Sequence, residues 1–176
     1  GVSILNKKIQ EAVNANPEAK IVFGETEFRL NDIVMNYSND YSAVIFNNDH
    51  MDENNTENNT AFIANGESGT VDKIMKDSMV ANYDGTLIYY EKGKLKNIKL
   101  AYAITTHKSQ GGQFKVVILL TPRAHTFMLN SNLLYVGISR AKEKCYHLGE
   151  IKTVNAALKK KENFDRKTML QMFMRE

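Results

Sequence analysis

The chain has 176 residues, enough for one domain or for one domain that carries a small insert. Its net charge of +3 suits a nucleic-acid partner and many other proteins equally well, so charge selects no function. The single cysteine, Cys145, excludes an internal disulfide, and no apolar run approaches the ~18 residues that a membrane span needs.

The first predicted element is an amphipathic helix over Val2–Val13. Apolar residues recur there at three- and four-residue spacing, and they predict the buried face of the helix: Ile4, Leu5, Ile9 and Val13. Asn16 and Pro17 are expected to end it. Because the chain begins with Gly1 rather than Met, we expect a fragment of a longer protein.

Short apolar runs separated by turns follow, and they predict a small antiparallel barrel: Phe28–Met35, Val44–Phe46, Asn65–Val71, Met79–Tyr83 and Thr86–Tyr90. Asp84-Gly85 between the last two runs is a strong hairpin signal. The stretch Asn47–Thr60 is rich in Asn, Asp and Glu and is expected to be a solvated acidic loop.

From Leu100 onward, predicted strands alternate with predicted helices, which indicates an α/β layer. The expected strands are Leu100–Ile104, Lys115–Leu120 and Lys144–Leu148, and the expected helices are 130–141, Ile151–Lys161 and Asp165–Met174. The continuous apolar run Val116–Leu120 is typical of a parallel strand covered on both faces. We expect Cys145 to be buried in its strand. The barrel therefore interrupts an α/β domain.

Two blocks of sequence contain the candidate functional residues. In the first, Ala101–Phe114, a predicted strand runs into hydroxyls, a histidine, a lysine and two glycines. Ligands bind at such strand ends, and these groups suit phosphate oxygens, although a solvated turn explains them as well. In the second, Asn132–Lys142, Arg140 ends an apolar helix. A lone arginine there is usually a surface group or a salt-bridge partner.

Together the two blocks resemble motifs V and VI of superfamily 1 helicases. Two residue sequences are similar to the corresponding motifs of the RecD-like branch: His107-Lys108-Ser109-Gln110-Gly111 and Leu133–Lys142. The stretches Leu30–Met35 and Asn65–Val71 resemble weaker signatures of the same family. The resemblance covers most of the chain up to Glu150.

The resemblance implies an α/β fold: a partial RecA-like parallel sheet flanked by helices, with an inserted SH3-like β-barrel. The RecA-like domain 2A would comprise residues 1–20 and 98–176. The insert would be the 2B subdomain, residues 21–97, with the acidic loop 47–60. Residues 151–176 carry no motif that we recognise.

The resemblance also assigns roles to individual residues. Arg140 would be an arginine finger in the ATP site. Contacts to the nucleotide would come from Gly111, Gly112, Gln113 and Tyr135. Gln113 stands where family members often carry a carboxylate, so that contact brings no charge. Contacts to single-stranded DNA would come from Thr105, Thr106, His107, Lys108, Ser109 and Gln110.

The cofactors implied are ATP and Mg²⁺, bound mainly by an upstream RecA-like domain of the same protein. The phosphate-gripping pattern G-x-x-x-x-G-K-[ST] is absent from the sequence, and so is a strand ending in Asp-Glu. The chain alone is therefore expected to hydrolyse no ATP. The four histidines have no metal-ligand spacing, so no metal site is expected.

The implied function is that of a C-terminal fragment of an ATP-dependent helicase, similar to exodeoxyribonuclease V alpha, moving 5′ to 3′. Recombination or nuclease subunits would be further partners. One alternative is a stand-alone nucleic-acid or protein binding module without a motor. Another is a relaxase-linked helicase of plasmid transfer. The lone cysteine and the lack of a signal peptide predict a cytoplasmic protein without a membrane partner.

Overall fold

The structure is a computed structural model that describes residues 1–47 and 59–160. Those residues form two compact units, the first spanning Gly1–Thr105 and the second beginning at Thr106. Most of the predicted acidic loop and the predicted helix Asp165–Met174 lie outside the described residues. Within the described part, no helix is both long enough and apolar enough to cross a membrane.

Helix α1 spans Val2–Val13, the range that the sequence predicts. Its buried face differs from the predicted one, because Ile4 and Val13 are exposed while Asn6 and Gln10 are buried. The two buried amides are tolerated because both form hydrogen bonds within the first unit. The helix ends where the N–H of Asn14 donates to the Gln10 carbonyl at 2.8 Å.

The first unit contains a hairpin and a seven-stranded sheet. The hairpin pairs β1 (Lys20–Phe23) with β2 (Thr26–Arg29). The curled antiparallel sheet forms a half-barrel with the strand order β5-β4-β8-β7-β6-β3-β9. Its strands are β3 (Ile33–Asn36), β4 (Asp40–Ile45), β5 (Thr60–Ile63), β6 (Ser68–Ile74), β7 (Ser78–Tyr83), β8 (Thr86–Glu91) and β9 (Ile98–Leu100).

The predicted hairpin between β7 and β8 is confirmed. Asp84 has φ 49° and Gly85 has φ 92°, and positive φ at both central residues is what a type I′ turn requires. A 3-10 helix, Lys92–Asn97, joins β8 to β9 and contributes the buried Leu95. The core of this unit is built mainly from Phe28, Val34, Val71, Met79, Ala81, Ile88, Leu95 and Ile98.

The predicted strand Leu100–Ile104 is wrong in its extent. Strand β9 ends at Leu100, because its antiparallel partner β3 pairs only as far as Val34 with Leu100. The Ala101 N–H still donates to the Ile33 carbonyl of β3 at 2.8 Å, and after it the side chain of Asn6 holds the backbone. The amide of Asn6 donates to the Ala103 carbonyl at 2.8 Å and accepts from the Ala103 N–H at 2.9 Å.

In its described residues, 106–160, the second unit contains one parallel strand pair, two α-helices and a 3-10 helix, Arg123–His125. Strand β10 (Phe114–Thr121) pairs with β11 (Ala141–Gly149). Helix α2 (Ser131–Ile138) lies between them in sequence, and α3 (Ile151–Lys159) follows β11. Leu129, Leu134 and Ala157 form a small buried cluster. The parallel pairing and the order of elements follow the prediction.

Two predictions about this unit are wrong. The apolar strand β10 is not covered on both faces, since Val116, Ile118 and Leu120 are exposed. Cys145 lies in a strand as predicted, but it is exposed rather than buried. Both differences arise because the described sheet has only two strands, and β11 has no buried residue along its length.

The observed fold is mixed α/β, with an antiparallel half-barrel and a small parallel sheet. This coarse class is the predicted one. The finer assignments, a RecA-like domain and an SH3-like insert with the boundaries given above, remain predictions.

Candidate nucleotide and nucleic-acid site

Residues Thr106–Gly112 form a compact run of turns at the start of the second unit. The N–H of Ser109 donates to the Thr106 carbonyl at 3.3 Å, and the N–H of Gly112 donates to the Ser109 carbonyl at 3.1 Å. Gly111 has φ +87°, a conformation that other residues adopt only with strain. The glycine is therefore required by the turn itself.

Side chains of this run differ in how they face solvent. Ser109 is buried, and its hydroxyl donates to the Thr106 carbonyl at 2.7 Å, so this group closes the turn. His107 and Gln110 are exposed, as is the preceding Thr105, which belongs to the first unit. Thr106 and Lys108 are half-buried. The exposed side chains are the groups that a ligand would meet.

Arg140 lies just beyond the end of α2 and reaches back to this turn. Its Nη1 donates to the Gly112 carbonyl at 3.1 Å, its Nε donates to the Val136 carbonyl at 3.2 Å, and its Nη2 donates to the Ser139 hydroxyl at 3.1 Å. The backbone is tied as well, because the Phe114 N–H donates to the Arg140 carbonyl at 2.8 Å. The structure therefore brings Arg140 and Gly112 together.

The described part of the chain offers the charge of Arg140 no acidic partner. Among residues 1–47 and 59–160, no carboxylate forms an ion pair with this guanidinium. The three hydrogen bonds use three of the five N–H groups that a guanidinium offers. The remaining N–H groups and the positive charge suit an anionic ligand such as a phosphate.

Helix α2 is fixed by a contact near each of its ends. Its N-cap is Asn130, whose side chain accepts from the Leu133 N–H at 2.9 Å. Near the other end, a Cβ on Gly137 would lie 2.8 Å from Leu119 Cδ1. The glycine thus allows α2 to pack closely on β10, three residues before Arg140.

The other predicted nucleotide contacts lie on the surface. Tyr135, one helical turn before Ser139, is 74% exposed, and Gln113 is exposed next to the half-buried Gly112. Among the described residues there is no group of three His, Cys, Asp or Glu side chains that could hold a metal ion. The donor set therefore fits a phosphate group better than Mg²⁺.

Sequence reasoning missed a buried polar cluster in the first unit. Asp32 is fully buried and accepts hydrogen bonds from the amides of Gln10 and Asn14, the Tyr102 hydroxyl and the Arg29 N–H. Burial, reinforced by the Asp32 carboxylate, raises the pKa of Tyr102 to about 12. A signal was available, because Asn6, Gln10 and Asn14 recur every four residues and form one polar helix face.

This cluster anchors the segment that leads into the turn. Tyr102 is fixed by Asp32 and Ala103 by Asn6, and both precede Thr105 in the chain. Tyr102 and Ala103 are thus held within the first unit.

Comparison with known proteins identifies relatives of the chain. Residues 100–147, which include the turn and Arg140, match the UvrD-like helicase C-terminal domain. The ATP-dependent RecD2 DNA helicase of Deinococcus radiodurans is 29% identical over 85% of this chain. The RecBCD enzyme subunit RecD of Buchnera aphidicola subsp. Acyrthosiphon pisum is 28% identical over 81% of it. Over more than four fifths of its length the chain is thus similar to RecD helicases.

The chain spans about a fifth of the length of those relatives, 18% of the first and 21% of the second. A crystal structure of Pif1 helicase from Bacteroides, in complex with ADP-AlF3 and ssDNA, has a similar fold. The TM-score is 0.57 at 20% identity, and the match covers 96% of this chain and 42% of that one.

Proposed function

We propose that this RecD-like chain is the C-terminal part of an ATP-dependent DNA helicase. In this proposal residues 1–20 and 98–176 form a second RecA-like domain, and residues 21–97 form an SH3-like insert. The P-loop domain that binds most of the ATP and Mg²⁺ would come from sequence outside these 176 residues. The relationship to RecD helicases and the parallel β10–β11 pair joined through α2 support it.

Arg140 is the proposed arginine finger, and its contact with Gly112 is the observation that carries the proposal. During phosphoryl transfer, charge develops on the γ-phosphate oxygens, and a fixed guanidinium stabilises it. Three hydrogen bonds fix this guanidinium while leaving N–H groups for a ligand. The neighbouring Gly111, Gly112, Gln113 and Tyr135 would contact the nucleotide.

The turn is the proposed contact to single-stranded DNA. Thr105, Thr106, His107, Lys108 and Gln110 would bind phosphate groups, whereas the Ser109 hydroxyl holds the turn and leaves its backbone to the ligand. Phosphate contacts carry no base information, so the binding would be independent of sequence and sensitive to salt. Because the turn ends at Gly112, one segment would touch both DNA and nucleotide.

The test is substitution of Arg140 in the longer enzyme. Arg140→Ala should lower DNA-stimulated ATPase activity by about 10³- to 10⁵-fold, while the affinity for single-stranded DNA stays nearly unchanged. Arg140→Lys should restore little, because an ammonium group does not copy the planar guanidinium. The 176-residue chain alone should show no ATPase activity.

Arg123→Ala is the matched control, because Arg123 is an exposed arginine of the same unit. It should retain the activity of the wild type. The proposal fails if Arg140→Ala turns over ATP normally, or if both arginine variants lose activity equally.

A further inference from the structure

The last turn of α2 departs from regular helical hydrogen bonding just before Arg140. The Ser139 N–H donates to the Tyr135 carbonyl at 2.9 Å, with the spacing of an α-helix. The Arg140 N–H instead donates to the Gly137 carbonyl at 3.4 Å, with the tighter spacing of a 3-10 turn. The Val136 carbonyl, one of the last in the helix, accepts from two side chains.

These two side chains form a closed ring of hydrogen bonds with the Val136 carbonyl. The Ser139 hydroxyl donates to it at 3.0 Å, and Nε of Arg140 donates to the same oxygen at 3.2 Å. The Ser139 oxygen in turn accepts from Nη2 of Arg140 at 3.1 Å. Because a serine hydroxyl has a single proton, donation to Val136 leaves its lone pairs for the guanidinium. Each hydrogen bond of the ring therefore supports the next one.

The ring fixes the plane of the guanidinium and leaves a defined pair of donors. In a guanidinium, Nε carries one N–H and each Nη carries two. Val136 takes the N–H of Nε, Ser139 takes one from Nη2, and Gly112 takes one from Nη1. One N–H on each terminal nitrogen remains, and two coplanar donors of this kind match two oxygens of a phosphate group. Loss of the Ser139 hydroxyl would release Nη2 and leave the plane less firmly fixed.

The surroundings of the ring favour the charged arginine. The carbonyl dipoles of α2 point towards its C-terminal end, where a cation is stabilised. Ser139 and Arg140 are both half-buried, so water competes less well for these hydrogen bonds than it does at an exposed site. The guanidinium is therefore held in place before a ligand arrives.

We propose that Ser139 is a positioning residue for Arg140. Its hydroxyl holds Nη2, so that the two remaining N–H groups stay in one fixed plane for a phosphoryl group. This role rests on the proposed arginine finger and adds the residue that orients it. Because charge develops on the phosphoryl oxygens in the transition state, poorer orientation should lower kcat rather than weaken substrate binding.

The test is Ser139→Ala in the longer enzyme, with DNA-stimulated ATPase activity measured at steady state. The value of kcat should fall about ten- to a hundredfold, the cost expected of a misplaced catalytic group. The KM for ATP and the affinity for single-stranded DNA should stay within about twofold of the wild type, because neither depends on the transition state. Ser139→Thr should restore kcat, because threonine keeps the hydroxyl.

The affinity for ADP with aluminium fluoride separates positioning from general damage to the fold. Aluminium fluoride mimics the transferring phosphoryl group, so Ser139→Ala should weaken this affinity by about the factor that kcat loses. The affinity for ADP alone should stay unchanged, because ADP lacks that group. Equal weakening of both affinities, or no rescue of kcat by Ser139→Thr, would overturn the proposal.

Ser131→Ala is the matched control, because it removes a hydroxyl from the other end of the same helix. That hydroxyl donates to the Lys160 carbonyl at 3.4 Å. The variant should keep the kcat of the wild type. Equal losses of kcat in the two serine-to-alanine variants would show that any change in α2 has the same effect, and the proposal would be wrong.

Arg140→Ala in the same assay distinguishes this proposal from the proposed function. If Arg140→Ala loses activity while Ser139→Ala keeps the wild-type kcat, the positioning role fails and the proposed function stands. If Arg140→Ala keeps the wild-type kcat, the proposed function itself fails and the positioning role fails with it.

Discussion

Strand β7 of the first unit has four consecutive buried residues, Ser78–Ala81, whereas strand β11 of the second unit has none along nine residues. Strand β7 lies between β6 and β8, with further strands on either side, whereas β11 pairs with β10 alone among the residues that the structure describes. A sheet face is stabilised when other elements cover it. The first unit therefore stabilises itself, and the second leaves apolar strand faces exposed.

The contrast also concerns polar groups. In the first unit a buried carboxylate, Asp32, is saturated by four donors from several elements. In the second unit the guanidinium of Arg140 is half-buried and bonded to carbonyl and hydroxyl oxygens, with its charge not neutralised by a described carboxylate. The hydrogen bonds of Asp32 are thus satisfied within its own unit, whereas the charge of Arg140 suits an anionic ligand.

The largest expected effect tests the hydrogen bonds that Asp32 accepts. Asp32→Ala should reduce the free energy of unfolding of the first unit by about 4 kcal/mol, because two side-chain amides, a phenol and an N–H lose their buried acceptor. Urea unfolding followed through the NMR signals of β7 measures this loss.

Asp72→Ala serves as its control, since Asp72 is exposed on β6 of the same sheet. Its cost should stay within about 0.5 kcal/mol. Equal costs for the two variants would show that the polar cluster contributes no more than a surface carboxylate.

Local signals in the sequence predicted the elements, and non-local contacts decided what the sequence could not show. The helix Val2–Val13 and the Asp84-Gly85 turn depend on local spacing and backbone conformation, so both were predictable. The end of β9 depends on pairing with β3, because Leu100 pairs with Val34, 66 residues earlier in the chain. The burial of Cys145 was mispredicted because the number of strands flanking β11 is also a non-local property.

For the candidate site, the sequence predicted residue types but no distances. The turn with Gly111 and a helix over 130–141 were expected from local patterns. The helix observed is Ser131–Ile138, so it ends before Arg140 rather than beyond it. The approach of Arg140 to Gly112 depends on how closely α2 packs on β10, which Gly137 permits through a contact with Leu119. A single sequence does not show how closely a helix packs on a strand. The roles assigned to these residues stay predictions.

Hydrogen exchange gives an intermediate effect and tests the comparison directly. Amides of β7 and β8 should exchange at least about a hundredfold more slowly than those of β10 and β11, a difference of ~2.7 kcal/mol in opening free energy. The physical reason is the smaller buried cluster of the second unit. Mass spectrometry of peptic fragments resolves the two regions, and equal protection would refute the contrast.

The smallest expected effect concerns alkaline pH and the first unit alone. Tyr83 and Tyr90 are both buried, and the Tyr90 hydroxyl donates to the Tyr83 oxygen at 3.2 Å. Burial raises the pKa of Tyr83 to about 12 and also raises the pKa of Tyr90. Unfolded tyrosines ionise near pH 10, so a raised folded pKa gives stability that is complete below pH ~10 and lost as pH rises towards 12.

Tyr83→Phe should therefore lose about 2 kcal/mol less stability than the wild type between pH ~10 and ~12. The comparison must use the change with pH, because the variant also loses a hydrogen bond worth about 1 kcal/mol at every pH. Lysines deprotonate in the same range but contribute equally to both proteins. Tyr41→Phe, which alters a tyrosine that is 75% exposed, should follow the wild-type curve. Parallel curves for wild type and Tyr83→Phe would mean that this phenol ionises without unfolding the half-barrel, and that the first unit is less tightly closed around it than its burial indicates.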